Sequence, residues 1–245
     1  MVRIGNFFFR TRNFLFPVFY ILLFLPFQRT SADYLTIFYI GLAVALIGQL
    51  VRMLTIGLVY IIRGGRNRQI YAKGLVTDGL FSHCRNPMYV GNILLVAGMS
   101  ILSNSLFAVA VMIPLFIFIY QSIVLAEENF LRGKFGTGFD DYCSKVNRWL
   151  PNLKGVGATF RNNSFDLKKV FFKEYNSTFL WMMGATLLLA FNSYRLKEKL
   201  TVDNDGRYYL IAIAVLLLFY FTIRFFKKRE SRRNKKVKEA SNESV

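Results

Sequence analysis

Polar side chains that could take part in chemistry are concentrated in two segments, residues 73–91 and residues 127–151. The first segment contains Asn86, and the second begins with the adjacent acids Glu127 and Glu128. Each segment adjoins a long apolar run, where a polar group is costly to bury unless it is paired or hydrogen-bonded. We therefore expect the two segments to meet in one polar, water-accessible site.

Asn86-Pro87 directly precedes an apolar run and predicts the start of a helix. Asn is favoured at the N-cap and Pro at the first helical position, so on one interpretation the pair only begins a helix. On the other, the free N–H groups and the positive dipole end of that helix bind the carboxylate of a ligand.

His83 is the only histidine of the chain. We expect a solvated, amphipathic side chain, and without a second histidine we predict no metal site. Gly79 suggests a tight turn, and Gly91 suggests close packing of helices.

The acids Glu127 and Glu128 end an apolar run and allow two interpretations. A carboxylate near a helix C-terminus is opposed by the helix dipole, and one held in hydrocarbon costs a few kcal/mol. Both acids could simply be solvated beyond the lipid headgroups. Alternatively, they line a polar cavity and accept hydrogen bonds from the hydroxyls or ammonium of a ligand.

Aromatic and basic residues follow the acids. Phe135, Phe139 and Tyr142 recur at helical spacing and predict a helix that packs against the bundle at the membrane surface. Lys145 and Arg148 come just after it. They either set the orientation of the chain in the membrane or contact a phosphate or carboxylate.

The composition indicates a membrane protein. Of the 245 residues, 54% are hydrophobic and 17% aromatic, more apolar surface than a water-soluble domain of this size needs. The net charge is +18, and the basic residues lie between and after the apolar runs. The positive-inside rule explains this distribution better than nucleic-acid binding does. The two cysteines, Cys84 and Cys143, lie in basic connecting segments, so we do not expect a disulfide framework.

The predicted fold class is an all-α, polytopic membrane helix bundle of about six transmembrane helices. Apolar runs near the ~20 residues needed to cross a bilayer place them at 14–28, 35–62, 88–104, 105–126, 177–194 and 207–226. The turn at residues 103–105 makes the third and fourth an antiparallel hairpin. Basic residues follow the second, fourth and sixth runs, so both termini are predicted to be cytoplasmic.

The sequence divides into four predicted parts. They are an N-terminal membrane helix and loop (1–34), a core of three spans with cytosolic segments (35–151), a linker with a C-terminal transmembrane hairpin (152–226), and a basic disordered tail (227–245). The N-terminus has features of a secretion signal, but we expect an uncleaved first helix. The tail is expected to anchor the chain beside anionic lipid.

The composite pattern of the two segments resembles the superfamily of integral membrane methyltransferases that includes isoprenylcysteine carboxyl methyltransferase and phosphatidylethanolamine N-methyltransferase. The resemblance runs from about residue 48 to residue 151. The matching positions are Leu75-Val76-Thr77, Gly79, Phe81, Arg85-Asn86-Pro87, Tyr89, Gly91, Glu127-Glu128, Leu131, Phe135-Gly136, Tyr142 and Pro151.

The resemblance implies an enzyme that binds S-adenosylmethionine at the cytosolic face and admits its acceptor laterally from the bilayer. The residues it implies for cofactor binding are Lys73, Gly74, Leu75, Val76, Phe81, Arg85, Asn86, Pro87, Met88, Tyr89, Glu127 and Glu128. We take Glu128 and Arg148 as candidate catalytic residues. The implied partners are a membrane lipid or lipidated substrate, such as a phospholipid amine or a prenylated carboxylate, and the implied location is the bacterial inner membrane or the endoplasmic reticulum.

Two features separate this chain from the prenylcysteine enzymes that it resembles. Asn86 stands where those enzymes typically carry His. An Asn at this position is more like the phospholipid and many bacterial members of the superfamily. Residues 121–126 contain no arginine about one turn before the acidic pair, where the prenylcysteine enzymes are thought to hold the substrate carboxylate. These departures count against a prenylcysteine substrate.

Two other functions are compatible with the sequence. One is an NADPH-dependent reductase of the sterol-reductase type, which binding of NADPH instead of S-adenosylhomocysteine would indicate. The other is a non-catalytic membrane protein, either a transporter or a scaffold. Arg52 is the only charge well inside an apolar run, which weakens the transporter interpretation. A wide separation of Asn86 from Glu128 would favour a scaffold.

Overall fold

The computed structural model describes residues 1–25, 27–30, 33–59, 63–66, 69–196 and 206–243. The elements are α1 (Val2–Leu22), α2 (Tyr34–Leu58), β1 (Arg63–Arg66), β2 (Gln69–Ala72), a 3-10 turn (Gly79–Ser82), α3 (Pro87–Leu102), a π-helical turn (Ala108–Met112), α4 (Ile113–Phe135), α5 (Thr137–Lys145), α6 (Val156–Asn162), α7 (Leu167–Leu196) and α8 (Arg207–Glu243). The short strands form an antiparallel hairpin in which Gly64 faces Tyr71. The predicted all-α membrane bundle is confirmed.

Within the described part of the chain, three helices are long and apolar enough to cross a membrane. They are Tyr34–Leu58, Ala108–Phe135 and Arg207–Arg233, and Pro87–Leu102 is a shorter apolar helix. Helices α1 and α7 occupy the other two predicted positions, but each carries charged residues over part of its length. The hydropathy pattern therefore located the helices of the bundle, while the count of six spans stays a prediction.

Helix ends differ from the predicted ones. Helix α1 begins at Val2 instead of residue 14, and α7 begins at Leu167 instead of residue 177. Helix α2 ends at Leu58, and residues 60–62 of the predicted span lie outside the described residues. Helix α8 continues to Glu243, so the prediction of a disordered tail is wrong through residue 243; residues 244–245 are not described. Charged residues mark the point where a helix leaves the hydrocarbon, so the predicted spans stop at them. The helices continue because charged residues are compatible with helix.

Glycines bring α2 and α3 into backbone contact. A Cβ added at Gly48 would lie 2.8 Å from the carbonyl oxygen of Gly91, and one at Gly98 would lie 2.6 Å from that of Gly41. Such close approach is typical of small residues at helix interfaces in membranes. The close packing predicted at Gly91 is confirmed, and it fixes the start of α3 against α2.

The turn between α3 and α4 is a buried, hydrogen-bonded structure. Asn104 has a positive φ of 48°, a conformation that Asn tolerates better than most residues. Its side-chain oxygen accepts a hydrogen bond from the backbone N–H of Thr30, at 3.2 Å. The predicted antiparallel hairpin is therefore confirmed.

Helix α1 packs directly on α4. A Cβ added at Gly5 would lie 1.9 Å from the carbonyl oxygen of Ser122, so the two backbones touch. Farther along, the ring of Phe16 packs against those of Phe116 and Tyr120, at centroid distances of 5.4 and 5.8 Å. The N-terminal helix is thus part of the bundle.

Helix α7 is tied to the core by a buried polar network. Arg52 on α2 donates two hydrogen bonds to Glu174 on α7, at 2.7 and 2.8 Å, and another to Asn92 on α3. Gln49 donates to Glu174 at 3.3 Å and accepts from the indole N–H of Trp181 at 3.0 Å. Arg52, the charge inside an apolar run, therefore has its partner on a different helix.

Candidate active site

The two acids of α4 are buried, so the interpretation that they are solvated is wrong. Glu127 is 3% exposed and Glu128 is 4% exposed. Glu127 accepts a hydrogen bond from the hydroxyl of Tyr89 on α3, at 2.8 Å. Glu128 lies 2.7 Å from the guanidinium of Arg148 and 3.3 Å from that of Arg85. Burial is tolerated because both carboxylates have protein partners.

Arg148 joins the two polar segments. Its guanidinium donates three hydrogen bonds to Glu128, at 2.7, 3.0 and 3.2 Å, and these bonds raise the pKa of Arg148. Its carbonyl oxygen accepts a hydrogen bond from the side-chain amide of Asn86, at 3.3 Å. One residue therefore contacts both Asn86 and Glu128, which excludes the wide separation expected of a scaffold.

The connections before α3 and after α5 run alongside each other. The N–H of Arg85 donates to the carbonyl of Asn147, and the N–H of Asn152 donates to the carbonyl of His83, both at 2.9 Å. The thiol of Cys84 lies between these bonds, 3.4 Å from the carbonyl oxygen of Trp149. Backbone hydrogen bonds thus fix the segment that precedes Asn86, independently of its side chains.

His83 is part of this junction, and the expectation of a solvated histidine is wrong. It is 7% exposed. Its Nδ1 lies 2.6 Å from the carbonyl oxygen of Asn152, and its Nε2 lies 2.8 Å from the hydroxyl of Thr159. Because a carbonyl oxygen only accepts, Nδ1 carries the proton. His83 therefore fastens α6 to the segment before α3.

Asn86 occupies the N-cap position of α3 without capping it. Pro87 is the first residue of the helix, and the Asn86 side chain makes no hydrogen bond to the first turn because it is turned toward Arg148. The predicted helix start is confirmed, but its first turn has no side-chain cap. Pro87 has no N–H, and the N–H groups of Tyr89 and Val90 donate to the carbonyl of Asn86, at 3.0 and 3.1 Å. What this end of the helix offers to an anion is therefore chiefly its positive dipole end.

Helix α5 holds the segment that leads from β2 to the 3-10 turn. The hydroxyl of Tyr142 donates to the carbonyl of Phe81, at 2.7 Å. Leu75 packs against a buried cluster that contains Leu131 and Phe139. The predicted packing is confirmed for Phe139 and Tyr142, whereas Phe135 is the last residue of α4 and belongs to a different helix. Gly79 has a φ of +59°, as expected for the tight turn.

The predicted cofactor-binding residues differ in exposure. Phe81, Asn86, Pro87, Glu127 and Glu128 are buried, Leu75, Val76, Arg85, Met88 and Tyr89 are half-buried, and Lys73 and Gly74 are exposed. The structure brings Arg85, Asn86, Tyr89, Glu127, Glu128 and Arg148 together. Lys145 is exposed on the last turn of α5 and makes none of these contacts with the described residues.

Sequence reasoning missed Gln121 and Trp149. The indole N–H of Trp149 donates to the side-chain oxygen of Gln121 on α4, at 2.7 Å, and so fixes the residue that follows Arg148. A polar residue inside an apolar run, such as Gln121, indicates a polar partner, and this was the one sequence feature that pointed to the contact.

Arg85 has hydrogen-bonding capacity left over. One terminal nitrogen lies 2.7 Å from the sulfur of Cys143 and 3.3 Å from Glu128. Its Nε is buried and has no hydrogen-bond partner among the described residues. A buried, unpaired N–H is costly, so this donor is suited to an acceptor supplied by a ligand.

Residues 36–138, which carry the acids and the start of α3, match the model of the phospholipid methyltransferase family. The chain is also similar to a probable protein-S-isoprenylcysteine O-methyltransferase of Oryza sativa subsp. indica, with 31% identity over 128 residues, covering 50% of this chain and 65% of the relative. The resemblance of this core to the isoprenylcysteine carboxyl and phospholipid methyltransferases is thus confirmed over these residues. Helices α1, α7 and α8 lie outside residues 36–138.

Two bacterial relatives carry other names. The nickel-cobalt-cadmium resistance protein NccN of Alcaligenes xylosoxydans xylosoxydans is 29% identical over 160 residues, covering 65% of this chain and 68% of the relative. The cobalt-zinc-cadmium resistance protein CzcN of Cupriavidus metallidurans is 28% identical over 116 residues, covering 47% and 51%. No solved structure matches the chain significantly.

Proposed function

We propose that this protein transfers a methyl group from S-adenosylmethionine to a lipid or lipid-like acceptor at the cytosolic face of the membrane. The observation that carries the proposal is the meeting of both motif segments at Arg148, which contacts Asn86 through its carbonyl and Glu128 through its guanidinium. The match of residues 36–138 to the phospholipid methyltransferase family supports the reaction class.

The residues fit a cofactor that carries a carboxylate, an ammonium and ribose hydroxyls. The unpaired Nε of Arg85 is a donor suited to the carboxylate, and the positive dipole end of α3 favours an anion beside it. The carboxylates of Glu127 and Glu128 are acceptors suited to ammonium or hydroxyl groups. Leu75 is a half-buried apolar residue packed on the neighbouring cluster of Leu131 and Phe139.

Methyl transfer depends on the positioning of donor and acceptor more than on proton transfer. S-adenosylmethionine supplies a methyl group that is already activated on a sulfonium sulfur. The protein must hold the acceptor in line with that methyl group and exclude water. Tyr89 and Arg148 hold the two acids in place from different elements, so the acids are oriented before any ligand binds.

Binding of S-adenosylhomocysteine to the purified protein in detergent tests the proposal. Glu128→Gln and Asn86→Ala should each weaken binding about 10-fold to 100-fold, since a hydrogen bond to a charged group contributes about 1.5–3 kcal/mol. The control is Asp140→Asn, which removes the acid of an exposed ion pair of the same length, 2.7 Å to Arg132. It should leave affinity unchanged.

Unaltered binding by both site variants would contradict the assignment of the site. NADPH binding in place of S-adenosylhomocysteine would point to the reductase instead. The acceptor can be found by feeding cells isotopically labelled methionine and comparing their lipids, by mass spectrometry, with and without the protein. A labelled methyl group on one lipid class identifies the substrate.

A further inference from the structure

A cavity of about 360 Å³ lies between α1, β2 and α4, next to the acids. Ala126, which lines it, directly precedes Glu127, and Phe130, which also lines it, comes one turn later on α4. Its volume is within the range of about 300–1,000 Å³ that is usual for ligand pockets. None of the residues predicted to bind the cofactor lines this cavity.

The lining combines one cation with two amides and an apolar wall. Among the described residues that line it, Arg10 is the one charged residue, and Asn6 and Asn129 supply amide groups. Phe9 and Phe130 are the apolar side. A guanidinium binds phosphate or carboxylate oxygens through paired hydrogen bonds, and amides pair with ester and hydroxyl groups. The cavity is therefore suited to an amphiphile with an anionic headgroup.

The position of Arg10 is fixed by the packing of α1. The backbone of Gly5 touches that of Ser122 on α4, so this end of α1 cannot slide without a clash. Phe9, the neighbour of Arg10, is 3% exposed, and the guanidinium of Arg12 lies 4.2 Å from the centre of its ring. The backbone of Arg10 is thus held by the packed helix, while its side chain is exposed at the cavity.

The cavity and the proposed cofactor residues share one boundary. Phe130 lines the cavity and also packs against the cluster that holds Leu75. Glu127 lies on the same turn of α4 as Ala126 and contacts Tyr89. A headgroup in the cavity would therefore lie beside the residues that hold the methyl donor.

We infer that this cavity is the acceptor site and that Arg10 binds an anionic oxygen group of the lipid headgroup. The inference rests on the proposed methyl transfer. It assigns a role to α1, which lies outside the matched residues 36–138. Arg10 selects the acceptor, and the acids with Arg85 and Asn86 hold the donor.

The test uses the full chain in non-ionic detergent with three variants. Arg10→Gln removes the charge, and Arg10→Lys keeps it without the paired donors. Arg3→Gln removes a charge from the same helix at an exposed residue that does not line the cavity. Each variant is assayed for S-adenosylhomocysteine affinity, for kcat and KM of methyl transfer to the lipid found by labelling, and for direct lipid binding.

Arg10→Gln should raise the KM for the lipid, and weaken lipid binding, about 10-fold to 100-fold. Its S-adenosylhomocysteine affinity should stay unchanged, Arg10→Lys should be intermediate, and Arg3→Gln should match the wild type. Competition by a phospholipid, a fatty carboxylate and inorganic phosphate distinguishes the source of the anion. Arg10-dependent competition by either lipid supports the inference, and equal competition by inorganic phosphate overturns it.

The two proposals fail in different ways. An unchanged KM and unchanged lipid binding in Arg10→Gln, with methyl transfer intact, overturn the acceptor site and leave the proposed function standing. A wild-type protein that binds no S-adenosylhomocysteine and methylates no lipid overturns the proposed function, and the acceptor role of Arg10 with it.

Discussion

Removing the charge of Glu174 should detach α7 from the core of the bundle. The Glu174 side chain is 4% exposed and that of Arg52 is 12% exposed, so the pair is shielded from water. Glu174 accepts two hydrogen bonds from Arg52 and one from Gln49. Loss of one partner of a buried pair costs about 3–5 kcal/mol, because the other charge stays buried without compensation. Glu174→Gln keeps one acceptor oxygen, so we expect the lower end of that range.

A double-mutant cycle separates the pair from its surroundings. Arg52→Met and Glu174→Met should each destabilise strongly, while the double variant should lose much less than the sum, since an apolar pair replaces a buried ion pair with little cost. Unfolding is followed by the fluorescence of Trp181, which donates to Gln49 in the same network. The chain has one other tryptophan, so a Trp149→Phe background isolates the signal.

The control for the cycle is the exposed pair of Arg132 and Asp140, whose side chains are 54% and 53% exposed. Asp140→Asn should cost no more than about 1 kcal/mol. A Glu174→Gln variant as stable as Asp140→Asn would refute the idea that the network holds α7. Additive effects of the two Met substitutions would refute it as well.

Two further predictions follow from the packing. Gly91→Ala should destabilise by about 1–3 kcal/mol in detergent unfolding, because its Cβ would lie 2.6 Å from the Arg52 side chain and 2.8 Å from the carbonyl oxygen of Gly48. Gly133→Ala, which meets nothing within 4 Å on α4, should be neutral or slightly stabilising, and equal effects of the two would contradict the helix contact. For the free thiols, maleimide should label Cys143 well before Cys84. Cys84 is 2% exposed, and burial raises the pKa of its thiol. A higher pKa lowers the fraction of reactive thiolate at any given pH. Cys-to-Ser variants assign the label by mass, and faster labelling of Cys84 would show that the junction opens.

Local sequence signals located the helices and one side of the site. Apolar runs placed α2 and α4, Asn86-Pro87 placed the start of α3, and the polar turn before α4 gave the hairpin. These features depend on hydropathy and on residues close in sequence. The first helix was placed too late because Arg3 and Arg10 interrupt the apolar pattern without interrupting the helix.

The contacts of the site could not be read in the same way. His83 and Glu128 are buried because residues 83–85 pair with residues 147–152 through backbone hydrogen bonds. Neither segment indicates which distant segment it pairs with, so the sequence predicts Arg148 as a candidate catalytic residue but not its contact with Glu128. The cavity beside α1 is not predicted by the sequence, because it depends on how closely Gly5 approaches α4.

The adjacency of the two acids explains how one helix organises both polar segments. Neighbouring residues on an α-helix point about 100° apart, so Glu127 and Glu128 face different elements. Glu127 reaches Tyr89 on α3, and Glu128 reaches Arg148 after α5. A single acid could hold only one of them. The pair therefore fixes the start of α3 and the turn after α5 relative to each other, and these two carboxylates are the acceptors that the proposed cofactor would meet.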